Sequence, residues 1–300
     1  MFRKIIAGSD GQGHGRAAAI FAAKLADVTR SRLVLVTAYH QPPLPFPATY
    51  RELAAQAQHA VRALRDEVAP DALTTVVGAL SPSHALRHVA EREHADLIAV
   101  GSRQRGRVAH FVEPDRALQV LHGAHSAVIV VPDDTADPSR LEAIAVGVDG
   151  SPESLAALEL AVEIARSAGA RLWLQLVVPD TLPAWMGDRS LASTPAWMAA
   201  SDQRRSDAQE LLDRILAEVE DVPAEGGVVV GHPAHVLTEL GESTDLLVVG
   251  SRRWGPLARL ALGSTSEAVV RHATGPVLVL PRGVKDLREQ PGAVAAGATP

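Results

Sequence analysis

Short runs of branched apolar residues alternate with longer stretches in which apolar residues recur every three or four positions, and the whole alternation occurs twice along the chain. The second half is the plainer one. Ala143 to Val148 is a nearly unbroken apolar run, as expected of a strand covered on both faces. Ser151-Pro152 then offers a capping residue followed by a proline at the first helical position. Leu155, Leu158, Val162 and Ala165 follow at spacings of three and four and are expected to share the buried face of a helix that Gly169 stops. Leu172 to Val178 predicts the second strand. Asp202 to Glu220 predicts a helix through Leu211, Leu212, Ile215 and Val219, followed by a strand over Gly227 to Val230. A helix around Ala234 to Leu240, a strand over Leu246 to Val249, a helix over Ser264 to His272 and a strand over Val277 to Leu280 complete the half. Five strands and four helices per half, in βαβ order, specify an α/β fold with a parallel sheet flanked by helices.

The repeat is visible residue by residue. Ala95 to Gly106 (ADLIAVGSRQRG) returns as Thr244 to Gly255 (TDLLVVGSRRWG), and Ile5 to Ala26 returns as Ile144 to Ala165, which sets Asp10-Gly11 against Asp149-Gly150. The last apolar runs match as well, Val128 to Pro132 against Val277 to Pro281. A fixed internal period of this kind means two copies of one unit. The polar run Asp133 to Pro138 reads as the linker. The expected organisation is therefore one domain over residues 1–135, a second over 141–283 and a flexible tail over 284–300. Val128 to Val131 and Val277 to Leu280 are each an apolar run at the end of a domain. An exposed apolar edge invites aggregation, so the two are expected to pair and make the halves an intramolecular pseudo-dimer. The second copy carries extra residues over Pro179 to Ala200, with Trp185 and Trp197, read as a surface loop rather than a lid.

Composition narrows the function classes. The net charge of −6 argues against a broad basic surface, so nucleic acid is not an expected partner. With no cysteine, thiolate metal sites and cysteine nucleophiles are excluded. No apolar run approaches about 18 residues, and Met1-Phe2-Arg3-Lys4 leads into no signal-peptide core, so the expected location is cytoplasmic without a membrane partner. His84 and His88 stand one helical turn apart, but no third ligand is placed to join them, and they read as surface histidines. Gly11-x-Gly13-x-Gly15 lacks the dinucleotide spacing and reads as a turn.

The candidate chemistry lies at the end of the fourth strand of the second half. Gly250-Ser-Arg-Arg-Trp-Gly255 leads to Gly263-Ser264 at a helix start, where unpaired N–H groups and the positive end of the dipole favour an anion such as phosphate. This arrangement resembles the ATP-binding members of the universal stress protein family, which carry Gly, two residues, Gly, nine residues, then Gly-Ser or Gly-Thr. Gly250, Gly263 and Ser264 stand at the first glycine, the third glycine and the hydroxyl. Arg253 replaces the middle glycine, and Gly255 stands two residues on. The resemblance covers both halves and implies two tandem Rossmann-like (adenine nucleotide alpha hydrolase-like) domains, each with a five-stranded parallel sheet. It implies that Val148, Asp149 and Val177 face the nucleoside, and that Gly250, Arg253, Gly255, Gly263, Ser264, Thr265 and Ser266 line the phosphate side. The implied cofactor is ATP, with or without Mg, and a further homodimer of chains is compatible with it.

Two features complicate the site. Ser264 and Glu267 also fit a capping box that needs no ligand, although Gly263, Gly250 and Asp149 in matching places favour nucleotide over a mere cap. In the first half Pro114-Asp115 stands where Gly263-Ser264 should recur, which marks that site as degenerate. No residue is nominated as base or nucleophile. The expected function is an ATP-binding regulatory or stress-response module without catalytic turnover. The alternatives are a nucleotide-free scaffold and, less favoured, a slow ATPase.

Overall fold

The computed structural model describes residues 2–9, 15–41, 47–102, 116–135, 140–180, 195–251 and 263–281. The first half contains β1 (Lys4–Ser9), α1 (Arg16–Thr29), β2 (Arg32–His40), α2 (Pro47–Val68), β3 (Leu73–Ala79), α3 (Pro82–Arg92), β4 (Leu97–Ser102), α4 (Arg116–Leu121) and β5 (Ala127–Pro132). The second contains β6 (Ala143–Val148), α5 (Pro152–Ala168), β7 (Arg171–Pro179), α6 (Pro195–Ala217), β8 (Ala224–Gly231), α7 (Pro233–Glu242), β9 (Leu246–Gly250), α8 (Ser264–His272) and β10 (Val277–Leu280). Each half is thus a parallel α/β unit of five strands, as its alternating pattern requires.

The halves share one sheet, ordered β3-β2-β1-β4-β5-β10-β9-β6-β7-β8. Its central joint is the expected one. β5 and β10 pair antiparallel, with Val277 opposite Val130, Leu278 opposite Ile129 and Val279 opposite Val128. Both strands are buried along their length, because helices cover both faces and the neighbouring half closes what would otherwise be an apolar edge. Two apolar layers fill the space above and below. One packs α1, α2, α5 and α6 on the sheet through Phe21, Leu25, Ile129, Ile144, Ile164 and Leu278, and α1 touches α5 across the joint. The other packs α3, α4, α7 and α8 through Leu86, Val89, Leu118, Leu237, Val269 and Val279.

Local signals worked well for α5. Ser151 Oγ accepts from the Ser154 N–H at 3.3 Å, Pro152 opens the first turn, and Gly169 closes the helix at φ 68° with its N–H bonded to the Ala165 carbonyl. The helix is rotated about its axis relative to the face read from its leucines. Ala157, Leu158, Ala161, Ile164 and Ala165 are buried, whereas Leu155 is 36% exposed and Val162 only half-buried. Alanines can let a helix approach a sheet and a neighbouring helix closely, so the packed face is marked by small residues that a search for large ones passes over.

The loop reading of Pro179 to Ala200 needs correcting at its C-terminal end: α6 starts at Pro195, well before Asp202. Met198, Ala199 and Ala200 are exposed, so these three positions offer periodicity no buried face to reveal. Trp185 lies outside the described residues.

A candidate strand-end nucleotide site

In each half the strand order reverses between the first and fourth strands, and in open parallel sheets the crevice beyond the carboxyl ends at such a point is where ligands bind. In the second half that point lies between β6 and β9. Val148, at the end of β6, is buried. Asp149 follows in an exposed position, and its Oδ1 accepts the Ser151 N–H at 2.9 Å while its own N–H donates to Ser154 Oγ at 3.3 Å. The carboxylate is therefore held in the turn that leads into α5. Gly150 completes that turn at φ 77°, a left-handed conformation that strongly favours glycine. Val177, on β7, is half-buried opposite Val229.

Gly250 ends β9, and the reason for a glycine there is close packing. A methyl group on it would stand 2.3 Å from the Glu153 carbonyl oxygen and 3.0 Å from the Ser154 nitrogen, so the first turn of α5 leaves no room for one. Beyond it, two hydrogen bonds fasten the strand end to the start of α8. The Gly263 N–H donates to Ser251 Oγ at 3.4 Å, and Ser266 Oγ donates to the Gly250 carbonyl at 2.9 Å. Ser251 and Ser266 are 2% and 4% exposed. The 11 residues 252–262 between the two anchors lie outside the described residues, and with them Arg253 and Gly255. Ser251 is the contributor the motif reading passed over. Its signal was the Gly-Ser dipeptide common to both copies, Gly101-Ser102 and Gly250-Ser251.

The capping-box alternative for Ser264 does not hold. The N-cap of α8 is Gly263, in an extended conformation, and the Glu267 N–H bonds its carbonyl at 2.9 Å, so Ser264 is the first helical residue and is exposed. The Glu267 carboxylate turns the other way, to Arg271 at 2.7 Å. Among the described residues no side chain caps α8. Ser264 is exposed and Thr265 half-buried in its first turn, and Ser266 serves as the inner anchor.

The first half differs at the corresponding places. Gly101 and Ser102 end β4, and Gly15 caps α1 at φ 86°, where a methyl group would meet the Gly8 carbonyl oxygen at 2.5 Å. The turn reading of Gly15 is right, while Gly11, Gly13 and Asp10 lie outside the described residues, as do Pro114 and Asp115. The repeat position of Ser266 is taken by Ala117, so the hydroxyl that ties α8 to its strand has no counterpart in α4. His84 and His88 are both exposed. Among the described residues no helix is long and apolar enough to cross a membrane.

The model of the universal stress protein family matches the chain twice, over residues 1–132 and 141–281. A universal stress protein of Mycobacterium tuberculosis is 29% identical over 295 residues, covering 92% of this chain and 96% of its own. One from Mycolicibacterium smegmatis is 28% identical over 290 residues, with the same coverage of both chains. Among solved structures, a universal stress protein from Archaeoglobus fulgidus superposes with a TM-score of 0.67 at 19% identity, covering 94% of this chain and 97% of that one. The Rossmann-like fold is shared along that whole length. Two matched copies in tandem, joined in one sheet through their last strands, make this chain a member of the universal stress protein family.

Proposed function

We propose that the chain binds one ATP, in its second half, and acts as a regulatory or stress-response module that does not turn the nucleotide over. The observation that carries this reading is the start of α8, which no side chain of the described residues caps, held at the end of β9 by the Ser251–Gly263 and Ser266–Gly250 bonds. A helix start fixed at a strand-end crevice presents N–H donors to phosphate without a reorganisation cost. Gly263 leaves room for close approach, Ser264 and Thr265 add hydroxyls, and Arg253 and Gly255 belong to the connecting segment. Val148, Asp149 and Val177 stand on the nucleoside side, and Mg can accompany the phosphates. Occupancy would act on partners by favouring one of two states of the protein.

The position of Asp149 supports the reading without turnover. Its carboxylate is engaged with the Ser151 N–H in the turn before α5. Catalysis needs groups aimed at developing charge. The scaffold reading draws on a different observation: packing against α5 explains Gly250, and the two anchoring bonds explain Ser251 and Ser266, without any ligand.

Calorimetric titration with ATP separates the readings, run on the intact chain beside Gly263→Pro/Ser264→Asp, which carries the first half's residues into the second. A helix N-terminus favours an anion by roughly 0.3 to 2 kcal/mol. Two like charges about 4 Å apart repel by about 4 kcal/mol at an effective dielectric of about 20. One equivalent for the intact chain and none for the variant is the expected result. Two equivalents, or unchanged binding by the variant, would overturn the assignment. Phosphate release at about 1 per second or faster would overturn the absence of turnover.

A further inference from the structure

β3 and β8 are the two edges of the ten-stranded sheet, and they differ in what they leave uncovered. Along β3 (LTTVVGA) every residue after Leu73 is half-buried. On β8 (AEGGVVVG) Val229 and Val230 are 40% and 42% exposed, and Trp173 on the neighbouring β7 is 36% exposed. The phase of the ladder fixes which backbone groups look outward. The Leu172 N–H bonds the Pro223 carbonyl at 2.9 Å while Leu172 stands opposite Ala224, so the N–H and C=O groups of Gly226, Val228 and Val230 point away from β7. The side chains alternate in the same way. A methyl group on Gly226 would stand 3.2 Å from Leu212 of α6, and one on Gly227 would stand 3.3 Å from the Trp173 ring on the other face. Val230 therefore shares its face with Gly226, and Val229 with Gly227 and Trp173. β8 has no proline, its one charge is Glu225 near its start, and its register with β7 is unbroken from Ala224 to Gly231, so no bulge guards the edge.

We infer that the β8 edge is an interaction surface for a second copy of this chain, joined by antiparallel β8–β8 pairing about a twofold axis through Val228. The strand is self-complementary about that residue. Two copies meeting at Val228 set Gly226 of one opposite Val230 of the other, and Gly227 opposite Val229. Each exposed valine then enters the space beside a glycine, and Val229 also reaches the Trp173 ring that flanks Gly227. Gly226, Val228 and Val230, whose groups face outward, exchange N–H···O bonds with the other copy in the same register. Glu225 falls opposite Gly231, so no like charges meet. Pairing β8 with β3 instead would be head-to-tail and leave an open series of subunits, whereas the twofold arrangement closes on itself. The two halves already meet through an antiparallel strand pair of this kind at β5 and β10. The inference goes beyond the nucleotide reading and does not rest on it.

The test is sedimentation velocity of the full chain over about 1 to 100 μM. A reversible dimer of twice the 31.6 kDa chain is expected. Val230→Pro removes an N–H that faces away from β7, and Val229→Lys sets a charge opposite Gly227 of the other copy. Each is expected to weaken the dimer roughly tenfold or more while the far-UV circular dichroism is kept. The chain has no cysteine, so Val228→Cys reads the register directly. Hydrogen-bonded antiparallel pairs have Cα atoms about 5.5 Å apart, within disulfide range, and mild oxidation is expected to give a disulfide-linked dimer. A chain that stays monomeric throughout, or a dimer left unchanged by both Val230→Pro and Val229→Lys, would overturn the inference. So would a dimer weakened instead by Val76→Pro on the β3 edge. A dimer that both β8 variants weaken but that Val228→Cys does not link would overturn the register.

Discussion

Asp96 ties the first strand of the sheet to the fourth, and its removal should be among the most costly single changes at the amino end of the sheet. Its Oδ2 accepts the Arg3 N–H at 2.6 Å and the Lys4 N–H at 3.0 Å, while the Arg3 guanidinium lies 3.9 Å from Oδ1. The side chain is only 6% exposed. The repeat equivalent, Asp245, makes the same pair of bonds to Glu142 and Ala143 at 2.7 and 2.9 Å, but the Asp245 side chain is only half-buried. Hydrogen bonds to a charged group contribute about 1.5 to 3 kcal/mol each, and a buried donor left unpaired adds its own desolvation cost. The ion pair with Arg3, whose side chain is 57% exposed, adds little. Asp96→Ala should therefore cost about 3 kcal/mol. Asp245→Ala should cost about half of that, because the Asp245 carboxylate is already partly solvated and its hydrogen bonds are worth less. Guanidinium unfolding followed by far-UV circular dichroism reads both as shifts of the midpoint at constant slope. A loss below about 1 kcal/mol for Asp96→Ala, or an equal or larger loss for Asp245→Ala, would refute the reasoning that burial of the acceptor sets the cost.

Gly250→Ala should destabilise by about 1 to 3 kcal/mol whether or not ATP is present, since the added methyl meets the Glu153 backbone; an unchanged melting temperature would show that α5 can move aside. Ile129→Ala, fully buried opposite Leu278 in the joint between halves, should cost about 2 to 5 kcal/mol by denaturant titration. A loss under about 1 kcal/mol would mean that the joint carries little of the stability. Glu93 is held below the usual carboxylate range by its hydrogen bond and charge interaction with Lys4, whose Nζ lies 3.0 Å away. A depressed carboxylate contributes stability above its unfolded pKa and loses it as pH falls through the folded value. Glu93→Gln should thus lower the melting temperature at pH 7, and the difference from the parent should shrink as pH falls below about 4 and disappear in stronger acid; a difference that does not shrink in acid would refute the linkage.

Much of the candidate site could be read from the order of residues. Gly263 and Ser264 stand at the start of α8 as expected, and Gly250 stands at the end of β9. The reasons for individual residues were less accessible. The Ser-x-x-Glu pattern is a sound capping signal, yet Glu267 pairs with Arg271 one turn on, where the spacing of four serves an ion pair equally well. The resemblance sets Gly250 on the phosphate side, whereas the atoms that forbid a side chain there belong to α5, roughly one hundred residues earlier in sequence. Ser251 and Ser266 work as a pair across a segment of connecting chain, and nothing local marks the two hydroxyls as partners.

Residue order determined the alternation of elements, the duplication and the chemical character of the strand ends, because these depend on periodicity, capping residues and glycine, which act within a few positions. It also made the β5–β10 pairing the natural way to cover two apolar edges. Tertiary structure alone decided which face of α5 is buried, since small residues matter only once a sheet and a neighbouring helix lie against them. It alone showed that Asp133, which reads as the first residue of a polar linker, turns back over Gly101 beside Gly15. That contact joins residues from the first turn, the fourth strand and the end of the fifth. Distances of this kind are fixed by the packing of the whole half, and no periodicity along the chain encodes them.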